Sequence, residues 1–310
     1  MSGPEELEVT RRYYSKIMHV YRRKGVSIPF FRPATRLGLR LKIAKDLLFV
    51  RRFSKGKEER IQGWFDQTRV FFGFALYRSG TAFLAFFLDR VVPNAVIEHE
   101  ANVDDYWYYH RALQSEAEAE KYIRSFRLAE IYYRMHDRSV ALYGEINPYL
   151  RRHGRALRQV LPKAKFFHLV RDGREVVRSI MSREILDRTD PLGHLTQPPP
   201  GDPYVSQWSS MSRFEKICWL WQSDNRYLRE NVGHTLQFER LIRDYDYFKG
   251  KLTDYLGMEV PREVWEANVR KIGNPTQVFR MGHWSGWSDS EKEAFRTLCG
   301  EEMGACGYEL

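Results

Sequence analysis

The feature that most constrains the fold of this chain is a hydrophobic run that one short polar loop interrupts within residues 70 to 90. Val70 to Leu76 predicts a buried strand, and Thr81 to Arg90 predicts a helix. The loop between them reads Tyr77-Arg78-Ser79-Gly80-Thr81. Gly80 lets the backbone approach a ligand closely, and the start of the helix points free N–H groups at the loop. The stretch therefore predicts a strand, a tight loop and a helix that together bind an oxyanion.

Strand and helix patterns go on alternating along the rest of the chain. Further strands are predicted at residues 94–99, 139–146, 165–170 and 235–238, and helices at residues 114–136, 150–161 and 174–186. Two more helices start at capping boxes, in which Ser212 precedes Glu215 and Ser288 precedes Glu291. Strands that alternate with helices favour a parallel sheet. We therefore expect an α/β fold with a central parallel β-sheet flanked by helices on both faces.

The length of the chain, 310 residues, suits one large α/β domain, which we expect to span residues 66–310. We expect residues 1–65 to form a basic, partly helical N-terminal extension that packs on this domain or flanks it. Within the extension, residues 36–50 have the apolar spacing of an amphipathic helix with basic residues around it. Such a helix either packs on the core or contacts an anionic membrane surface, and the sequence is compatible with both.

The charge and the cysteines of the chain bear on its partners and its compartment. Its 50 basic and 40 acidic residues give a net charge of +10, which suggests an anionic partner such as a nucleotide, a nucleic acid or a membrane surface. The three cysteines have no metal-ligand spacing, and no segment has the roughly 18 unbroken apolar residues of a membrane span. We expect reduced thiols, no metal site and a cytoplasmic protein.

Two motifs carry groups that bind phosphate or sulfate. In the first loop, Arg78 adds a fixed positive charge, and Ser79 and Thr81 add hydroxyl donors. In the second motif, Arg171 stands where a buried strand ends, and Ser179 follows eight residues later on the next helix. Ligands of parallel-sheet folds bind at the carboxyl ends of the strands, so the second pair suits a second phosphate. Each motif alone is also compatible with a turn whose side chains face water.

Together, the two motifs resemble those of the sulfotransferase superfamily, whose members use 3′-phosphoadenosine 5′-phosphosulfate (PAPS) as the sulfuryl donor. The resemblance implies a three-layer sandwich like that of P-loop NTPases, and a reaction that needs no metal. It implies that the 5′-phosphosulfate of the donor is bound by Arg78, Ser79, Gly80, Thr81 and Ala82. It also implies that Arg171 and Ser179, at the spacing of the family, bind the 3′-phosphate.

Other segments follow in the order that they have in the family. Gly144 to Pro148 is similar to the segment of the third strand, although Asn147 replaces its usual threonine. Phe238 to Leu241 is similar to a later segment, and Gly307-Tyr308 is similar to the closing pair. Residues 280–284 are similar to the C-terminal nucleotide loop, which implies that Arg280 and Gly282 bind the donor. The resemblance covers residues 70–310.

Sulfuryl transfer depends on positioning and electrostatics, because nucleophile and leaving group stand in line while charge spreads over the equatorial oxygens. Arg78 is placed to stabilise the departing 5′-phosphate, and the resemblance assigns it that role. The acceptor hydroxyl also needs a base. The resemblance to carbohydrate-type members, in which a glutamate follows this strand, makes Glu100 the first candidate. Cytosolic small-molecule members use a histidine in another motif, which makes His99 the second; in the remaining alternative neither acts. Strand alternation puts Glu98 and Glu100 on one face of the strand and His99 on the other face. We therefore expect either Glu100 or His99 to act, but not both.

The sequence says less about the acceptor. Glu100 favours a hydroxyl of a carbohydrate, glycolipid or other metabolite, and the aromatic cluster Tyr106 to Tyr109 either lines the acceptor site or packs in the core. Residues 187–208, rich in proline and glycine, predict a long loop of the kind that often covers a site.

Two other classes of protein share part of this pattern. A P-loop kinase or NTPase needs a lysine after the last glycine of its loop, where this chain has Thr81. The other class is a non-catalytic nucleotide- or nucleic-acid-binding protein, which the positive charge suggests. No nucleic-acid-binding motif supports it, so we expect no nucleic-acid partner.

Overall fold

The computed structural model describes residues 56–102, 104–187, 190, 193–269 and 279–310. Of the predicted N-terminal extension, residues 1–55 lie outside the described part, and with them the whole of segment 36–50. Residues 188, 189, 191 and 192 of the predicted 187–208 loop also lie outside it. Among the described helices, none combines the length and the apolar composition that crossing a bilayer requires.

The described strands form one parallel sheet. They are Arg69–Phe74 (β1), Ala95–His99 (β2), Leu142–Ile146 (β3), Lys165–Val170 (β4) and Thr235–Gln237 (β5). Their order is β2-β3-β1-β4-β5, and every neighbouring pair is parallel. On the central strand, Phe72 and Phe74 pack in one apolar core, and Phe71 packs in another core on the opposite face. The predicted α/β fold, a parallel sheet covered on both faces, is thus confirmed.

The helices around the sheet are mostly short. They are Glu58–Gln67 (α1), Thr81–Val91 (α2), Asp104–Gln114 (α3), Glu116–Tyr122 (α4), Leu128–Met135 (α5), Gly154–Val160 (α6), Gly173–Met181 (α7), Arg213–Asn231 (α8), Phe238–Arg243 (α9), Tyr245–Phe248 (α10), Asp254–Leu256 (α11), Arg262–Val269 (α12) and Asp289–Ala305 (α13). Single π turns occupy Ile123–Arg127 and Lys249–Thr253, and 3₁₀ turns occupy Pro148–His153, Gly193–Leu195 and Trp284–Gly286. Both predicted capping boxes form, at the starts of α8 and α13.

Three predicted helices differ from the structure. The helix predicted at 174–186 ends at Met181, and Arg213 donates hydrogen bonds to the oxygen of Met181 at 3.2 Å and to that of Ile185 at 2.9 Å, which satisfies carbonyl groups at and beyond this end. The helix predicted at 150–161 begins as a 3₁₀ turn, in which Asn147 Oδ1 accepts from the Tyr149 N–H. The region predicted at 114–136 is divided between α4, a π turn and α5.

A buried ionic network supports the ends of β2 and β3. Arg127 donates to Asp105 Oδ1 at 3.0 Å and to Glu145 Oε1 at 2.6 Å, and Asn147 Nδ2 donates to both carboxylates at 2.8 Å. Burial raises the pKa of Asp105 to about 7, against the opposing charge of Arg127. Glu145 and Asn147 are fully buried, so the hydrogen bonds that hold the end of β3 lie inside the protein.

Candidate active site

The loop after β1 turns sharply, because Arg78 (φ 72°) and Gly80 (φ 91°) both lie in the left-handed region. A Cβ at position 80 would lie 2.2 Å from the ring of Phe238, so only glycine fits between the loop and that ring. Gly80, the N-cap residue of α2, has no side chain that could cap the helix, whose first residues are Thr81 and Ala82. The N–H groups of the first turn therefore suit an anion, which would act as the cap.

The hydroxyl of Ser79 is the strongest sign that this loop binds a ligand. The side chain is fully buried, and its Oγ finds no hydrogen-bond partner among the described residues. A buried polar atom that is left unsatisfied costs about 1–3 kcal/mol. An oxygen of a bound phosphate or sulfate would supply the missing partner, so the loop fits the donor that the sequence implies.

The two predicted anion motifs meet in space. Arg78 Nε donates to Ser179 Oγ at 2.9 Å, which joins the loop after β1 to the middle of α7. Arg171, which follows β4 directly, donates from Nη1 to the backbone oxygen of Arg78 at 2.9 Å. The carboxyl ends of the neighbouring strands β1 and β4 bring these groups together. One hydrogen-bonded unit thus contains the three residues.

The loop is surrounded by positive charge. Burial, together with the charges of Arg183 and Arg171, lowers the pKa of Arg78 to about 10, while the charge of Glu100 opposes the shift. Like charges at close range repel each other, so this cluster is stabilised by an anion. Arg183 was not among the predicted site residues, although it lies only four residues after Ser179. The end of α7 at Met181 leaves it beyond the helix.

The predicted C-terminal nucleotide loop lies against α7. The backbone N–H of Arg280 donates to Ser182 Oγ at 2.9 Å, and Arg178 Nε donates to the Met281 oxygen at 3.2 Å. Gly282 is fixed in turn, since its oxygen accepts from Trp287 Nε1 at 3.0 Å. These contacts bring Arg280 and Gly282 to the helix that carries Ser179.

The two candidate bases are neighbours, contrary to the expectation from strand alternation. His99 ends β2, and the next residue, Glu100, has φ 49°, so the chain turns back there. Glu100 Oε1 consequently lies 3.7 Å from His99 Nε2. The same nitrogen is 3.0 Å from Oγ1 of Thr81, the first residue of α2. Glu98, on the strand itself, points elsewhere and pairs with Arg134 at 2.7 Å. Alternation failed at Glu100 because it holds only while the backbone stays extended.

Metal ligands are not gathered near the loop. Over the described ranges, no group of three or more His, Cys, Asp or Glu side chains is arranged to hold a metal ion.

The chain is similar to known proteins and to a protein-family model. Among solved structures, the chain is similar to a sulfotransferase domain from the Synechococcus PCC 7002 olefin synthase, with 16% identity, a TM-score of 0.46, and coverage of 79% of this chain and 96% of that one. It is also similar to a sulfotransferase domain from the curacin biosynthetic pathway, with 11% identity, a TM-score of 0.42, and coverage of 64% and 76%. No curated protein matches the chain. The family model described as "Sulfotransferase family" matches residues 71–262. The chain therefore belongs to the sulfotransferase family.

Proposed function

We propose that this protein transfers a sulfuryl group from PAPS to a hydroxyl group of an acceptor. The acceptor that we propose is a carbohydrate, a glycolipid or another hydroxylated metabolite. The observation that carries the proposal is the hydrogen-bonded unit of Arg78, Ser179 and Arg171, which places two anion-binding motifs side by side at the sheet edge. A donor with a sulfated phosphate and a separate second phosphate matches that arrangement.

The donor would be held by both motifs. The buried hydroxyl of Ser79 and the N–H groups at the start of α2, from Gly80 to Ala82, face the 5′-phosphosulfate. Arg171 and Ser179 would bind the 3′-phosphate, and the backbone around Arg280 and Gly282, which contacts the chain at the end of α7, would bind the nucleotide.

In the reaction, the acceptor oxygen forms a bond to sulfur while the bond between sulfur and the bridging 5′-phosphate oxygen breaks. The products are a sulfate ester and adenosine 3′,5′-bisphosphate (PAP). Arg78 stabilises the negative charge that develops on the bridging oxygen, because its guanidinium remains protonated at neutral pH and is partly withdrawn from water.

The proton of the acceptor hydroxyl passes to a base during transfer. We propose Glu100 for this role, because its negative charge interacts with Arg78, so its carboxylate lies close to the loop after β1. His99, between Thr81 and Glu100, is the second candidate and otherwise orients the carboxylate. Both lie on the β2 side of the loop, away from the 3′-phosphate motif on the β4 side.

The location that we propose is cytoplasmic. The cysteines, Cys218, Cys299 and Cys306, are all free and buried, as is usual for proteins of a reducing compartment.

Ligand-induced changes in thermal stability test the donor assignment. PAP should raise the midpoint of unfolding in the presence of EDTA, whereas ATP with Mg²⁺ should have a much smaller effect. A larger shift with ATP and Mg²⁺ would instead favour a kinase or NTPase. Transfer itself is tested with ³⁵S-labelled PAPS and host extracts, with mass spectrometry of any labelled product.

A further inference from the structure

Tyr308, which follows α13, is fixed to the edge of the sheet through the backbone around it. Gly307 has φ 79°, and after this turn the Tyr308 N–H donates to the Met303 oxygen at 2.9 Å. Gln237, the last residue of β5, donates from Nε2 to the oxygens of Cys306 at 2.9 Å and Gly307 at 3.0 Å. These bonds hold Tyr308 at the carboxyl end of β5, on the edge that also carries the loop after β1.

The hydroxyl of Tyr308 contacts the carboxylate of Glu239, in the first turn of α9. It donates to Glu239 Oε2 at 2.7 Å and lies 3.3 Å from the Val170 oxygen, at the end of β4. The other carboxylate oxygen, Oε1, accepts from the Asp172 N–H at 3.1 Å. Burial and the charge of Glu239 both raise the pKa of Tyr308, so the hydroxyl keeps its proton and donates it. One donor on each oxygen thus fixes this carboxylate.

The fixed carboxylate stands close to Arg171, the residue proposed to bind the 3′-phosphate. Glu239 Oε1 lies 4.0 Å from Arg171 Nε, and Glu175 Oε2 lies 3.8 Å from Nη2. Both distances exceed that of a hydrogen bond. Within the described part of the chain, Nη1 donates to the Arg78 oxygen, whereas Nε and Nη2 make no hydrogen bond. These two nitrogens form the edge of a guanidinium that can bind a phosphate through two parallel bonds.

A carboxylate that could move would compete with the donor for that edge. Arginine pairs with carboxylates in the same two-bond geometry as with phosphates, at about 2.7–2.9 Å. A shift of Glu239 by about 1 Å towards Arg171 would therefore close a direct ion pair and occupy the N–H groups that a 3′-phosphate needs. The bond to the Tyr308 hydroxyl opposes this shift, because it would have to stretch or break.

We propose that Tyr308 is a positioning residue for the donor: its hydroxyl holds Glu239 away from a direct pair with Arg171, which keeps the guanidinium available to the 3′-phosphate. This rests on the proposed function, in which Arg171 binds that phosphate. Loss of the hydroxyl should therefore weaken recognition of the 3′-phosphate and leave binding of the rest of the nucleotide unchanged.

Isothermal titration with PAP and with AMP, which lacks the 3′-phosphate, tests this role. Tyr308→Phe should weaken PAP binding about tenfold, as for loss of one hydrogen bond to a charged group, and leave AMP binding as in the wild type. The double variant with Glu239→Gln lacks the competing charge, so it should bind PAP more tightly than Tyr308→Phe alone. Tyr255→Phe is the control, because its hydroxyl donates to the Phe166 oxygen of the same strand at 3.0 Å, and it should bind PAP like the wild type.

The outcomes separate the two proposals. Wild-type protein that binds PAP no better than AMP overturns the proposed function, and the role of Tyr308 with it. If the wild type prefers PAP, three results overturn the role of Tyr308 alone: Tyr308→Phe keeps the full preference, it loses equal affinity for both nucleotides, or the double variant binds PAP no better than Tyr308→Phe.

Glu239→Gln alone decides the matter if Tyr308→Phe does not fold. Its amide carries no charge that competes for Arg171, so PAP should bind at least as tightly as to the wild type. Weaker binding of PAP with unchanged binding of AMP would show that the carboxylate supports the arginine, which contradicts the role proposed for Tyr308.

Discussion

Arg78 Nε donates to Ser179 Oγ at 2.9 Å, so the residue proposed to stabilise the leaving group is bonded to a residue proposed to bind the 3′-phosphate. The contact spans the gap between the loop after β1 and helix α7. The hydrogen bond holds the guanidinium in one orientation before a donor binds. The backbone of Arg78 lies in the left-handed region. Preorganisation of this kind reduces the reorganisation that the transition state requires.

Arg78→Ala should lower kcat by about 10³-fold or more, because a transition-state arginine in the related phosphoryl transfer is worth 10³–10⁵. Arg78→Lys should recover only part of this loss, since an ammonium lacks the guanidinium fork that bonds Ser179 while facing a phosphate. Steady-state kinetics with labelled PAPS measures both variants. An Arg78→Ala protein with wild-type kcat would contradict the mechanism.

Ser179→Ala should act mainly on donor binding. We expect the KM for PAPS to rise about tenfold, as for loss of one hydrogen bond to a charged group, with kcat changed by less than about threefold. Isothermal titration with PAP checks the binding effect without turnover. Equal losses in kcat and in kcat/KM would show instead that Ser179 acts on the transition state through Arg78.

Gly80→Ala should impair both folding and donor binding, because a methyl group would lie 2.2 Å from a ring atom of Phe238 on a backbone with φ 91°. We expect the free energy of unfolding to fall by about 1–3 kcal/mol. Chemical denaturation measures it, and titration with PAP measures binding. The control is Gly63→Ala in α1, where the methyl group meets no atom within 4 Å and helix propensity improves. Equal stability of the two variants would contradict this account.

The sheet could be predicted from the sequence because its central strands are mostly apolar on both faces. Strand β4 has the bounds that the sequence predicts, Lys165–Val170, and its buried residues are apolar except for His168. The anion-binding motifs could also be predicted, because a glycine between a strand and a helix and an arginine at the end of a strand indicate such a site from the local sequence alone. Their direct contact depends on strand order, which the sequence alone does not contain.

The parts that the sequence did not predict depend on single backbone angles and on long loops. Glu100 lies beside His99 because one residue leaves the extended conformation, and alternation gives no sign of that change. Asp190 reaches Tyr106 across 84 positions of the chain, at a point that no periodic pattern specifies. Arg183 joins the cation cluster because α7 ends earlier than its helical pattern does.

Three buried histidines should lower the stability of the protein as the pH falls below neutral, and Asp105, whose pKa burial raises to about 7, should offset part of that loss. Burial lowers the pKa of His110 and His153 to about 3 and that of His168 to about 4, so all three stay neutral when folded. The unfolded chain takes up these protons below about pH 6.5, so stability is lost as the pH falls from there towards 4. Each histidine should lower the free energy of unfolding by about 1.4 kcal/mol for each pH unit in this range.

Urea denaturation at pH 7.5 and 5.5 measures this loss, which should reach about 4 kcal/mol from the three histidines together. His168→Gln is a matched variant, because glutamine can still donate to Asn225 Oδ1, which lies 2.9 Å from the imidazole. It should reduce the loss between the two pH values by about 1.4 kcal/mol. An unchanged difference in that variant would show that His168 is not the titrating group.

Glu100→Gln should lower kcat by about 10²–10⁴-fold, the usual contribution of a general base, while PAP binding stays as in the wild type. Glu98→Gln is the matched control: its carboxylate bonds Arg134 and the Tyr143 hydroxyl, so stability should fall while kcat per folded molecule is retained. The pH dependence of kcat identifies the base, because Glu100→Gln should abolish its acidic limb. If that limb persists in Glu100→Gln and disappears in His99→Asn, the histidine is the base and Glu100 only orients it.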